Sequence, residues 1–291
     1  MRKAAITGGQ GWIGRRVTAL LASEPSGEVK LLPLAGDVRR SESFTPLLAR
    51  FGPGDALIHL AGALPRHFAE DPQAAEAVNR EGARHAAEAC GRVGAALILA
   101  STANVYPPHL VGKIDETALI APRSPYGQSK RQAEEIALEA GERLGMPVRI
   151  LRLFNPYGPG QGEEMLLGYL AACLRRGVAA ELRTPMAARD FLHLDDVARA
   201  FLAAALTDLP GREVFNIGSG RAIRVRQAAE WLAQAAGAPL TLKQTADAPE
   251  QGGEGDWSCA DIRRARDLLG WNPLIPFEQG VASCLEPSSG V

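Results

Sequence analysis

The sequence predicts an α/β protein built on a doubly wound parallel sheet, with a smaller C-terminal α/β lobe. Three observations carry this. Lys3-Ala-Ala-Ile-Thr7 is a short apolar strand running into Gly8, Gly11 and Gly14, three residues apart, and then into the helical Val17-Thr-Ala-Leu-Leu21. Ala95-Ala-Leu-Ile-Leu-Ala is a continuous apolar run of the kind a parallel strand covered on both faces requires, and it ends in the hydroxyls of Ser101 and Thr102. Ser124-Pro-Tyr126-Gly-Gln-Ser-Lys130 sets a Tyr four residues before a Lys in helix-forming sequence, which places both side chains on one helical face.

The first strand, its glycine turn and the following helix amino terminus make an anion cradle. Glycines admit backbone N–H groups to a pyrophosphate, and the helix dipole favours its charge. A second strand over 28–35 contains Pro33 and is followed by Asp37, Val38, Arg39 and Arg40. Helical patterns cover 74–90, which is Ala-rich, and 126–144. Ligands of open parallel sheets bind at the carboxyl ends of the strands, so Ser101 and Thr102 are expected to face the same crevice as the glycine turn. From 156 to 185 the chain leaves the sheet for the lobe, with a helix over 165–176. It returns with a strand and helix over 189–197, a strand at Val214 and a helix over 227–236, and ends in the lobe with a strand at 240–243 and a helix over 262–269. The expected division is 1–155 plus 188–236 for the sheet domain and 156–187 plus 237–291 for the lobe. The Gly-, Asp-, Glu- and Pro-rich stretch 246–255 reads as a mobile loop, and the residues after 286 as a disordered tail.

Tyr126 and Lys130 can form a proton-transfer device. A phenol titrates near 10, so acid–base work near neutrality requires lowering it by about 3, roughly 4 kcal/mol. A partly buried ammonium about 4–5 Å away supplies roughly 3–4 kcal/mol toward the phenolate at an effective dielectric near 20. Lys130 is therefore expected to bring the phenol most of the way down.

With 291 residues, 46% of them hydrophobic, the chain can bury a large core. A formal net charge of −1 and the lack of a long apolar run argue against nucleic-acid and membrane partners. The first strand begins within three residues of the amino end, so no signal segment is expected. Cys90, Cys173, Cys259 and Cys284 are widely separated, and His59, His67, His85, His109 and His193 have no ligand spacing. No metal site is expected, and a reducing cytoplasm fits. His59 and His193 sit in strand-like motifs and read as structural.

The motifs together resemble the extended short-chain dehydrogenase/reductase family, Rossmann-fold proteins that include nucleotide-sugar epimerases, dehydratases and ketoreductases. The resemblance runs in order through Thr7-Gly8-Gly9-x-Gly11-x-Ile13-Gly14, Asp55-Ala-Leu-Ile-His59-Leu60-Ala61-Gly62, Val78-Asn79 with Gly82, and Ser101-Thr102 with Val105-Tyr106. It continues through Tyr126-x-x-x-Lys130, Arg152-Leu-Phe154-Asn155-Pro-Tyr157-Gly158-Pro159 and Arg189-Asp190-Phe191-Leu-His193-Leu-Asp195-Asp196-Val197. Phe215-Asn216-Ile-Gly218-Ser-Gly220 and Leu269-Gly270-Trp271-x-Pro273 close it. The resemblance implies that Tyr126 is the catalytic acid/base, that Lys130 lowers its pKa and holds a nicotinamide ribose, and that Thr102 hydrogen-bonds the reacting oxygen. NAD(P)(H) is the implied cofactor, with Gly8, Gly11 and Gly14 and the Gln10, Trp12 and Ile13 backbone around its pyrophosphate. Leu60, Ala61 and Gly62 would lie along it, Asp37, Val38 and Arg39 at its adenosine end, and Ser101, Phe154 and Asn79 beside or behind it. Asn155 and Asn104 fall on the substrate side, and Arg189 matches the arginine whose guanidinium fork grips a sugar-nucleotide diphosphate. The helices over 74–90 and 126–144 would pair across a homodimer as a four-helix bundle.

Four departures refine the expectation. Pro33 stands where NAD-preferring relatives carry an acid about 20 residues past the glycines, while Arg15, Arg39 and Arg40 lean toward a 2′-phosphate and NADP(H). Asp37, a few residues later, is placed to meet either ribose or adenine. Only about forty residues separate Gly14 from Asp55, so the adenosine end is lightly covered and the cofactor exchanges readily, as a reductase needs. Ala103 and Asn104 stand where the 4,6-dehydratases have an Asp-Glu pair, and Asn104 also takes the place of the Cys of epimerase-reductases, which leaves a simple hydride-transfer site. Gln251-Gly-Gly-Glu254-Gly-Asp256 lacks the arginine that grips the second phosphate in many relatives. The expected activity is reduction of a nucleotide-diphospho-4-keto-sugar. A sugar 4-epimerase, a reductase of smaller carbonyls or uronates, and a non-catalytic NADP-sensing member of the fold are the alternatives.

Overall fold

The structure, a computed structural model, describes residues 2–23, 29–108, 110, 112–245 and 257–286. The stretch 246–255, the Gln251-to-Asp256 segment, His109 and the residues after 286 lie outside the described residues. The centre is a six-stranded parallel sheet of β1 (Arg2–Thr7), β2 (Val29–Pro33), β3 (Ala56–His59), β4 (Ala96–Thr102), β5 (Val148–Leu153) and β6 (Arg212–Ile217). In space the strands run β6-β5-β4-β3-β1-β2, so the topological switch falls between β1 and β3. Thr7 lies level with His59, and Thr102 with Leu153, at the carboxyl edge. Pro33 is tolerated because β2 is an edge strand, where a missing N–H breaks no inner ladder.

The sheet is covered on both faces. On one side α1 (Trp12–Ala22) and the later helix Leu194–Leu206 pack through Val17, Leu21, Val197 and Phe201. On the other, α2 (Pro72–Val93) and α3 (Pro125–Leu144) pack through Ala83, Ala87, Ala133 and Ala137 against Leu57, Leu97 and Ile150. Small side chains let both helices sit close to the sheet. Leu57, Ile58, Leu97 and Ile98 are fully buried, each contributing roughly 1.5–3 kcal/mol.

Local chemistry sets where α3 begins. Ser124 accepts a hydrogen bond from the Gly127 N–H at 3.0 Å, Pro125 occupies the first turn, and Gly145 ends the helix in a left-handed conformation. A Cβ on Gly127 would stand 2.4 Å from the Asn104 carbonyl oxygen, so only glycine allows α3 to start this close to the end of β4. That approach brings Tyr126 beside Thr102.

The lobe has its own core, formed by Leu167, Leu170, Phe191, Leu232, Phe277 and Val281 among others. The helix Val225–Ala236, expected with the sheet, packs in this lobe core through Ala228, Ala229 and Leu232. Conversely, Ala265 and Leu269 of the helix Arg263–Leu269, together with Trp271, join the core beneath the sheet. The boundary drawn at 236 therefore does not follow the packing, because the apolar faces of these two helices, rather than their order in the chain, choose their neighbours.

Candidate active site

At the carboxyl end of β1 the chain makes a tight turn. Gly8 has φ +69°, and a Cβ there would stand 2.5 Å from the Ala61 nitrogen. One on Gly14 would stand 2.0 Å from the Gly8 carbonyl oxygen. The Gly11 N–H donates to that same oxygen at 3.0 Å, and Gly11 caps α1 without any side-chain acceptor. The first N–H groups of α1 thus face outward from a turn only glycine can make, which suits a pyrophosphate. Gln10 is exposed on this turn, whereas the Ile13 side chain packs into the core and leaves only its backbone there. The Trp12 indole N–H donates to the Pro159 carbonyl at 2.8 Å, tying the turn to the first loop of the lobe.

Beyond the turn lies a cavity of about 250 Å³ lined by Gly8, Gly36, Asp37, Val38, Arg39 and Ala61, among others. Asp37 holds the Arg39 guanidinium through both carboxylate oxygens, Nε to Oδ1 at 3.0 Å and Nη2 to Oδ2 at 2.6 Å, and accepts from the Arg39 N–H. That pairing draws the Asp37 carboxyl down to about 2. The strand-end position left vacant of an acid by Pro33 is thus supplied from the loop, with an arginine attached. A glycine cradle, an uncapped helix terminus and this side cavity together fit a dinucleotide.

Where β3 ends, Gly62 lets Lys130 and Asn79 close in: a Cβ there would lie 3.0 Å from both the Asn79 Oδ1 and the Lys130 Nζ. Asn79 accepts from the Ala63 N–H and donates to Ser129 Oγ, each at 2.8 Å, and Ser129 donates to the Tyr126 carbonyl. Leu60 packs against the core under the sheet. His59 is hydrogen-bonded through Nδ1 to Thr7 Oγ1 at 2.8 Å. Burial, and next the Lys130 charge, push its pKa down to about 3, so it is neutral and ties β3 to β1.

The Thr102 hydroxyl lies beside the Tyr126 phenol and accepts from the Asn104 N–H at 3.2 Å. Lys130 is buried and donates to the Ala100 carbonyl at 3.0 Å. The electrostatics correct the expectation for this pair. Burial raises the Tyr126 pKa above its ordinary value, and the group that draws it partway back is Thr102, not Lys130. The lysine itself is pushed down to about 8 by burial, against the opposing pull of Glu134. The helical spacing was right, but the ammonium spends its contact on a strand carbonyl.

Thr102, Asn104, Tyr126, Leu153, Asn155 and Arg189 line one cleft of about 910 Å³ between the sheet and the lobe. Asn155 donates to the Asp190 carbonyl at 3.1 Å, and Arg189 sits where this cleft meets a smaller cavity beside the lobe helix. Two expected residues are corrected. Ser101 does not face the crevice, because neighbours on a strand point to opposite faces; its hydroxyl donates to Glu134 at 2.5 Å. Phe154 is fully buried against Val105, Tyr106, Ile114 and Ala260, and Leu153 lines the cleft instead. The sequence reading missed Arg66, Glu164 and Trp257. Arg66 and Glu164 pair across the cleft mouth although 98 residues apart, and no local pattern could have signalled them.

A glycine cradle at the first strand, a Thr–Tyr–Lys set at the fourth and a lobe closing the cleft define an NAD(P)-dependent enzyme of the extended short-chain type. Residues 4–218 match the NAD dependent epimerase/dehydratase family, and the chain belongs to it. It is 30% identical over 299 residues to GDP-6-deoxy-D-mannose reductase of Pseudomonas aeruginosa, covering 96% of this chain and 95% of that protein. It is 32% identical to dTDP-6-deoxy-L-talose 4-dehydrogenase (NAD(P)(+)) of Kitasatospora kifunensis, covering 96% and 93%. The structure of RMD from Pseudomonas aeruginosa complexed with NADPH superposes with a TM-score of 0.85 at 28% identity, covering 98% of each chain. Among the described residues no helix is long and apolar enough to cross a membrane, and no group of three potential ligands could hold a metal.

Proposed function

We propose that this enzyme reduces the 4-keto group of a nucleotide-diphospho-sugar, with NADP(H) preferred. The observation that carries the reading is the meeting of Thr102 and Tyr126 in one cleft, where burial raises the pKa of the phenol. Ketone reduction needs a proton donor, and a phenol raised above its ordinary pKa keeps its proton throughout the neutral range. When bound, the nicotinamide supplies the hydride. Thr102 orients the carbonyl oxygen, Tyr126 passes its proton to that oxygen as the carbon is reduced, and Lys130 offsets the charge left on the phenolate. Asn104 offers no second acid, so elimination and carbon epimerisation lack a base there. On this reading Arg189, in the cleft lining, receives the diphosphate, and Asn155 the sugar.

The names of the two relatives, a GDP-sugar reductase and a dTDP-sugar 4-dehydrogenase, support chemistry at C4 of a nucleotide sugar. Arg39 in the lining of the cavity beyond the glycine turn, with Arg40 next to it in the chain, and the NADPH-bound structural relative support NADP(H). Assembly as a homodimer through α2 and α3 is part of the same reading. Their outward faces, open to a second copy in the cytoplasm, carry charges that pair along each helix, Arg80 with Glu76 and Arg84 with Glu81 on one and Glu135 with Arg131 on the other. Size-exclusion chromatography with light scattering tests that point, since a monomer at all salt concentrations overturns it.

A 4-epimerase is the second reading. The Trp12 and Arg66–Glu164 ties across the cofactor crevice favour it, because an epimerase retains its cofactor through the cycle. One experiment separates the two: a thermal-shift panel of GDP-, dTDP-, UDP- and CDP-sugars with NADPH and NADH, followed by absorbance of the purified protein. Cofactor-free protein that oxidises added NADPH only in the presence of a keto-sugar supports the reductase. Tightly held nicotinamide with no net consumption supports the epimerase, and binding without turnover supports a sensing role.

A further inference from the structure

A buried ionic cluster closes the back of the cleft. Glu134 on α3 and Arg152 on β5 are 0% and 3% exposed. The Arg152 fork donates to both carboxylate oxygens, Nε to Oε1 at 3.0 Å and Nη2 to Oε2 at 2.8 Å. Ser101 donates to the same Oε1, and Arg152 Nη1 donates to the Tyr106 hydroxyl at 2.8 Å. Tyr106 in turn donates to Asn216 Oδ1 at 2.8 Å, on β6. The cluster therefore spans β4, β5, β6 and α3.

Its members sit one residue or one helical turn from groups that face the reaction. Ser101 precedes Thr102, Glu134 is four residues beyond Lys130, and Arg152 precedes the cleft residue Leu153. A buried ion pair is a poor device for stability alone, since an apolar replacement of similar volume is often as stable or more so. What it supplies is register: a bidentate fork accepts one relative placement of the two elements, where apolar side chains accept many.

We propose that Glu134 and Arg152 are positioning residues of the reaction centre: their pair locks the hydroxyl end of β4 to α3 in the placement that brings Thr102 to Tyr126, and the Glu134 carboxylate keeps Lys130 in its ammonium form. The proposal rests on the reading of Thr102, Tyr126 and Lys130 as the reacting set. The groups facing Lys130 from the surrounding elements leave Glu134 as its anion. Tyr126 on its own helix holds its proton, His59 on β3 is neutral, Asn79 on α2 and Ala100 on β4 are uncharged, and Arg152 and Arg131 are each paired with Glu134.

The test is the titration of the Lys130 side-chain nitrogen by ¹⁵N NMR, alongside keto-sugar turnover, in the wild type, Glu134→Gln and Arg152→Lys. In Glu134→Gln the Lys130 midpoint is expected to fall below its wild-type position of about 8. In Arg152→Lys, which keeps the charge but loses the fork, the midpoint stays while kcat falls about tenfold or more with KM for the cofactor unchanged. Should Glu134→Gln fail to fold, the turnover of Arg152→Lys decides the proposal. An unmoved Lys130 midpoint in a folded Glu134 variant, or full turnover in Arg152→Lys, overturns the proposal. Wild-type protein that turns over no substrate in the panel would instead sink the functional reading, while the Lys130 titration still decides the role of Glu134.

Discussion

Gly62 and Lys130 are in the closest approach that a side chain-free residue permits: a methyl on Gly62 would stand 3.0 Å from the ammonium nitrogen. That separation is tighter than ordinary van der Waals contact between carbon and nitrogen, so Gly62→Ala must shift the Lys130 ammonium by a few tenths of an ångström against its bond to the Ala100 carbonyl. The backbone at Gly62 is not in the left-handed region, so the fold should tolerate the change. The expected result is a kcat lowered about tenfold, or about 1.4 kcal/mol of lost transition-state stabilisation. A melting temperature within a few degrees of wild type, measured by calorimetry on the same sample, would separate this from unfolding.

Lys130 also makes stability depend on pH in an unusual direction. Its pKa is lowered from 10.5 to about 8 in the fold, so between these values the unfolded chain binds the proton that the native state has lost. Stability then rises with pH through that window, and below about 8 the full cost of the buried ion is present. Removing the ion should relieve on the order of 3 kcal/mol, less about 1 kcal/mol for the lost hydrogen bond to Ala100. Lys130→Met is therefore expected to be about 2 kcal/mol more stable than wild type in denaturant titrations at pH 7. That gain should vanish near pH 10.5. The kcat profile of the wild type should fall on its alkaline side near pH 8, as Lys130 loses its charge.

These two effects mark where the sequence was legible and where it was not. The glycine turn, the apolar strand ending at Thr102 and the Tyr126–Lys130 spacing are local patterns, set by backbone sterics and helical period, and each lies where its motif placed it. Side-chain allegiance is not local. Ser101 and Phe154 were read with the crevice, yet each alternates to the opposite face from its neighbour and joins a buried cluster. Whether Lys130 acts on a phenol or a carbonyl depends on which acceptor the packed helix brings within reach, and spacing alone does not specify it. The Arg66–Glu164 pair joins segments that only the folded lobe brings together.

The adenosine cavity gives a prediction for cofactor choice. Arg39 is held by Asp37, so the two side chains compete for whatever the ribose carries. A 2′-phosphate draws the guanidinium to itself, whereas a 2′-hydroxyl donates to the carboxylate. Arg39→Ala should weaken NADPH binding about tenfold, the value of one charge-assisted bidentate contact of about 1.4 kcal/mol, and leave NADH binding equal or tighter. Asp37→Ala should do the reverse, weakening NADH and sparing NADPH. Fluorescence titration with each cofactor checks both, and an Arg39→Ala protein with unchanged preference would remove the basis for choosing NADP(H).

The last prediction concerns cofactor release. The loop that follows β5 is tied down at two points, by the Trp12 indole to the Pro159 carbonyl and by Arg66 to Glu164. Both ties span from the sheet domain to the lobe, one at the glycine turn and the other at the cleft. Trp12→Phe keeps the aromatic ring but removes the N–H, which costs about 1 kcal/mol of loop closure and no large packing change. The expected outcome is NADPH release faster by roughly fivefold in stopped-flow displacement, with the association rate little altered. Arg66→Ala breaks a half-exposed ion pair of the kind worth at most about 1 kcal/mol, so its effect should be smaller and should disappear at high salt. If Trp12→Phe releases NADPH no faster than wild type, this loop does not hold the cofactor, and the epimerase reading loses the observation that favours it.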